Sequence, residues 1–128
     1  PPIEAIRRLI TFTWDYYIKH PEFLKLLNTE NLYHAAHIKQ SKNIGFYNSK
    51  LIGTLHEILI HDQREKLFRG GVDPLQLYIS IAALSYFYLS NNDTLSTVFM
   101  RDLNNPKAKV ERLQHMIDLV LGYLMLSS

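Results

Sequence analysis

Residues 72–91 read VDPLQLYISIAALSYFYLSN, and the rest of the chain has to accommodate this stretch. Asp73 followed by Pro74 is a helix-start signal. An aspartate caps the exposed amides of a first turn, and proline suits the first helical position because it has no N–H to leave unpaired. From there to Leu89 the residues are apolar on nearly every side. Leu75, Ile79, Ala82, Ala83 and Tyr86 form one stripe at helical spacing, and Leu77, Ile81, Leu84 and Tyr88 form another. A helix that is apolar all round is buried all round, so in a small chain this one is expected to serve both the core and a partner subunit. Ser80 and Ser85 are small enough to lie at close helix crossings. At about 27 Å for 18 residues the helix crosses a small domain.

The 128 residues fit a single domain. With 47% hydrophobic and 20% charged residues there is enough apolar material for a core, which argues against disorder. A net charge of +2, with no run of Lys and Arg longer than two, gives no nucleic-acid surface. Cysteine is absent, which excludes disulfides, thiolate metal sites and cysteine nucleophiles. No signal peptide is visible, and the apolar run 77–89 is too short to span a bilayer. The expectation is a cytoplasmic protein without a membrane partner. Beginning at Pro1-Pro2 with a helical pattern at once, the chain also reads as a fragment whose first part is missing.

The remaining segments are helical as well. Over residues 3–19, Ile3, Ile6, Ile10, Trp14 and Tyr17 follow the helical period, with Arg7, Arg8 and Asp15 opposite. This helix ends before Pro21, which opens a short one, PEFLKLL. A break or kink is expected at residues 28–31, then a helix over about 30–40. A long helix follows over about 44–68, with Tyr47, Leu51, Leu55, Ile58 and Leu59 facing inward. Gly53 within it is expected to admit a neighbouring backbone or a ligand, and Gly70-Gly71 to close it. After the central helix come a short one, TLSTVF, and a last one over about 106–126, started by Asn105-Pro106. No alternating run reads as a strand. The expected fold is all-α, with six to seven helices and short connections.

Three segments carry a family resemblance: 20–32, HPEFLKLLNTENL; 68–74, FRGGVDP; and 77–91, LYISIAALSYFYLSN, followed by Thr94-Leu95-Ser96. Together they resemble the C-terminal regulatory domain of tetracycline-repressor-type (TetR family) transcription regulators, over nearly the whole chain. The resemblance implies a homodimer that binds a small effector among its helices and controls an N-terminal helix-turn-helix DNA reader. It also implies dimerisation through the last two long helices, packed as a four-helix bundle with the partner's. No such reader pattern precedes Ile3, so DNA binding would come only through a missing N-terminal domain. Helix one would correspond to the connector.

On this reading the effector is a small apolar or aromatic compound. The residues expected to line its pocket are Trp14, Tyr17, Tyr33, His37, His56, Tyr78, Ala82 and Tyr86. Tyrosines supply both apolar surface and placed hydroxyls; the simpler alternative for each is a core aromatic. The expected dimer interface is Leu84 and Tyr88 on the central helix with Leu113, Ile117, Leu121, Gly122 and Leu124 on the last. Glu30, His34 and His37 have a spacing that places metal ligands on one face, but they read more simply as a polar helix edge. Glu57 and His61, four apart, read as helix support. His115 and Asp118 resemble part of a catalytic relay, yet there is no nucleophile elbow, P-loop or dinucleotide fingerprint. The expectation is therefore no enzyme, no metal and no cofactor. The alternative to the regulator is a standalone helical dimer that carries an apolar ligand or docks a protein partner.

Overall fold

The computed structural model describes residues 1–37 and 44–126, without the side chains of 44–49. Six helices follow in order: α1 (Pro2–Lys19), α2 (Pro21–Leu32), α3 (Ile44–Glu65), α4 (Pro74–Ser90), α5 (Asn92–Val98) and α6 (Pro106–Leu124). The one extended pairing among the described residues is an isolated antiparallel bridge between Phe68 and Met125.

The helix starts follow local chemistry. The Asp73 side chain accepts the Leu75 amide at 2.9 Å, and Asn105 Oδ1 accepts the Ala108 amide at 2.8 Å. Each cap is followed by a proline in the first turn.

The helix ends follow longer-range bonds, and here the sequence expectations fail. Residues 28–31 are not a break: α2 runs through to Leu32. Asn28 stays helical with its side-chain amide donating to Ser90 Oγ at the end of α4. The helix expected over 30–40 does not form within the described part. Residues 33–37 are turns, with His34 and Ala35 at φ 56° and 65°, and 38–40 lie outside the described residues. Buried Glu30 accepts both the His37 amide, at 3.2 Å, and a bond from its ring, at 2.8 Å, which curls the chain back. Similarly, α3 ends at Glu65 rather than at Phe68. The buried Asp62 carboxylate accepts the amides of Leu67 and Phe68 at 3.1 and 2.9 Å, and Lys66 turns through φ 54°. The carboxylate, not the glycine pair, closes the helix.

The core joins Ile6, Ile10 and Trp14 of α1, Leu55 of α3, Leu77 and Ile81 of α4, and Met116, Ile117, Val120, Leu121 and Leu124 of α6. The central helix α4 touches α1, α2, α3, α5 and α6. Its two apolar stripes have different fates. Of one, Leu77, Ile81 and Tyr88 are buried and Leu84 partly so; of the other, Leu75 and Ile79 are half exposed and Ala83 exposed, while Ala82 and Tyr86 are partly buried. Phe87, in neither stripe, is also exposed. Gly53 meets no neighbouring backbone among the described residues: a Cβ built on it has none of their atoms within 4 Å.

Candidate functional site

The inward side of α1 carries an aromatic group to its junction with α2 and α4. Tyr17 is buried, stacks on Phe23 of α2 with centroids 5.9 Å apart, and lies within electrostatic reach of Tyr78 and Tyr86 on α4. Burial pushes its phenol up to about 12, and the neighbouring tyrosines add to the rise because two nearby phenolates repel. Burial likewise raises Tyr78. At neutral pH these phenols are therefore neutral groups that can donate a hydrogen bond, set among apolar surface. Such a group has the chemistry to meet a largely apolar ligand with an acceptor atom, although none of the three clefts described below is lined by these tyrosines.

The other expected pocket residues are distributed differently. Trp14 is 2% exposed and packs on Tyr88 with centroids 5.8 Å apart, so it belongs to the core between α1 and α4. Ala82 is partly buried on α4. Tyr33 and His37 are exposed, touch each other at 5.9 Å, and have no described contact with the Tyr17 group. His37 is engaged with Glu30, and no group of three His, Cys, Asp or Glu side chains suited to a metal ion occurs among the described residues. His56 lines a cleft, but a separate one, at the far end of α3.

That cleft, of about 520 Å³, has Leu59, Phe68 and Leu126 among its apolar lining and Lys66 and Arg69 among its polar lining. A second, of about 500 Å³, runs between α1 and α3 past Leu9, Phe12, Leu51 and Ile58. A third, of about 330 Å³, is a groove between α4 and α6 beside Ser80, Leu84, Leu119 and Tyr123.

The expected dimer residues need correction. Tyr88, Ile117, Leu121 and Leu124 are all buried within the protomer, and Leu84 and Leu113 pack against the same core. Leu84 and Leu113 are only partly buried, and Leu84 also lines the α4–α6 groove. Only Gly122 is outward and open, with nothing within 4 Å of a built Cβ. The outward apolar residues are instead Leu75, Ile79 and Phe87 on α4 and Val110, Leu119 and Tyr123 on α6. The sequence signal for Leu75 and Ile79 was present as the other stripe, and Phe87 fell in neither; the spacing did not say which stripe faced out. Behind this surface Arg112 of α6 reaches α4, donating to the Leu84 carbonyl at 3.0 Å and lying over the Tyr88 ring at 5.3 Å. No helix of the described residues is long and apolar enough to cross a membrane.

Comparison with known proteins gives these features a context. The tetracyclin repressor-like C-terminal domain family matches residues 2–120. The HTH-type transcriptional repressor NicS of Pseudomonas putida is 40% identical over 120 residues, which cover 94% of this chain and 57% of the relative. The chain thus spans little more than half the length of that relative. With six helices, no strand among the described residues and a family match over nearly its full length, the chain belongs to the tetracycline repressor-like C-terminal domains, a family of transcription-regulator domains and not of enzymes.

Proposed function

We propose that this domain senses a small, largely apolar or aromatic effector and dimerises, and thereby controls DNA binding by an N-terminal reader outside these 128 residues. The observation that carries the reading is the family match over residues 2–120, joined to a repressor relative of which the chain covers 57%. The burial of Tyr17 beside Tyr78 and Tyr86 supports placing the effector against α1 and α4. Most of the affinity comes from apolar burial, since one neutral hydrogen bond adds only about 0.5–1.5 kcal/mol. An effector acts by binding one arrangement of α1 and α4 more tightly than another, which is a population shift. The outward α4 and α6 surface, with Gly122 permitting close approach, supports pairing with a second copy around a two-fold axis.

The test uses the complete protein with its DNA reader, DNA from upstream of its own coding region, and a panel of small aromatic compounds. Tyr78→Ala and Tyr86→Ala should weaken the response to an active compound while DNA binding without it persists. If both variants keep normal affinity and response, the effector does not bind at the tyrosines.

A further inference from the structure

The cleft at the end of α3 lies away from the tyrosine group, and its chemistry is different. Leu59, Phe68 and Leu126 give it an apolar side. Lys66 and Arg69 bring two cations to it, and neither has a carboxylate partner among the described residues. Arg69 is held in place, its guanidinium 4.4 Å from the Tyr123 ring centroid. Lys66 sits where Asp62 stops α3, with its backbone at φ 54°. A non-glycine residue kept in this region is strained, and such strain clusters at sites of function.

The linking backbone adds donors. The amides of Gly70, Gly71 and Val72 meet no acceptor among the described residues, and nothing lies within 4 Å of a Cβ built on either glycine. All three residues line the cleft, and Gly71 has a positive φ of 73°; successive amides with one residue in the left-handed region can form an anion-binding nest. Asp62 also lines the cleft, but both its oxygens are turned to the Leu67 and Phe68 amides. Two cations against one carboxylate leave a single net positive charge.

We infer that this cleft is a second ligand site, separate from the proposed effector site, that takes a small amphipathic monoanion. Its anionic group meets Lys66, Arg69 and the Gly70–Val72 amides, and its apolar body lies on Leu59, Phe68 and Leu126. Apolar contact supplies most of the affinity, and the charge selects the anion over its neutral analogue.

The probes are octanoate and 1-octanol, which share an apolar chain and differ in charge. Amide chemical shifts of the 128-residue chain are followed by two-dimensional NMR during titration with each. Octanoate should perturb Gly70, Gly71 and Val72 and bind more tightly than octanol. A Lys66→Gln, Arg69→Gln double variant should retain the dispersed spectrum and weaken octanoate binding by about fivefold or more, the scale of two partly exposed charge contacts, leaving octanol unchanged. The site is refuted by equal binding of octanol and octanoate, by unaltered octanoate affinity in the variant, or by shifts confined to the α1–α4 tyrosines. A single Lys66→Gly variant, which relieves the left-handed backbone and removes the charge, guards against a folding artefact. It should fold well yet still lose octanoate affinity.

Discussion

Single side chains set where two helices stop, and one of them can be tested directly. Asp62 is 4% exposed and accepts two backbone amides. Asp62→Ala leaves those donors without a partner, and urea unfolding should show a loss of about 2–3 kcal/mol, since such charged hydrogen bonds are each worth about 1.5–3 kcal/mol. Tyr17 makes a pH prediction. Its folded phenol titrates at about 12 against an ordinary 10, so the unfolded chain loses this proton first. The stabilisation is complete below pH 10 and falls as the pH rises through 12. The stability difference between the wild type and Tyr17→Phe should be flat up to pH 10 and shift against the wild type above it. Neither Asp62 nor Glu30 was readable from the sequence as a helix stop. Their acceptors serve amides five to seven residues away, and no short motif records that spacing.

Individual helices differ in how far the sequence discloses them. The inward residues of α1, namely Ile6, Ile10, Trp14 and Tyr17, were legible because polar residues mark the opposite side. The starts of α4 and α6 were legible because Asp73-Pro74 and Asn105-Pro106 act locally; Asn105→Ala should cost about 1 kcal/mol by the same urea measurement. The orientation of α4 was not legible, because a helix apolar all round has no polar side to fix it. That is why Tyr88 was expected outward and is buried, and why Ile79 is half exposed. Two neighbouring isoleucines on α4 separate the roles of the stripes. Ile81→Ala, in the core, should lower stability by about 2–5 kcal/mol. Ile79→Asp should leave the helical circular dichroism intact and alter association instead. Of the residues named for the candidate site, Tyr78 and Tyr86 lie within electrostatic reach of Tyr17. Tyr33 and His37 were assigned from a helix that the Glu30 bonds prevent within the described residues.

At the scale of the whole molecule, the described helices pack around α4, which leaves Leu75, Ile79 and Phe87 exposed, as are Leu119 and Tyr123 of α6. In the proposed mechanism two such surfaces pair, which lets an effector in one bundle change the spacing of two DNA readers. Pairing is therefore the step on which the account of this domain as a dimeric regulator depends. Sedimentation equilibrium of the 128-residue chain at micromolar concentration tests it most directly. The account predicts a species of twice the 15.0 kDa chain mass, converted to a folded monomer by Ile79→Asp. A wild-type chain that remains at 15.0 kDa across that range, or an Ile79→Asp chain that stays fully dimeric, would contradict it.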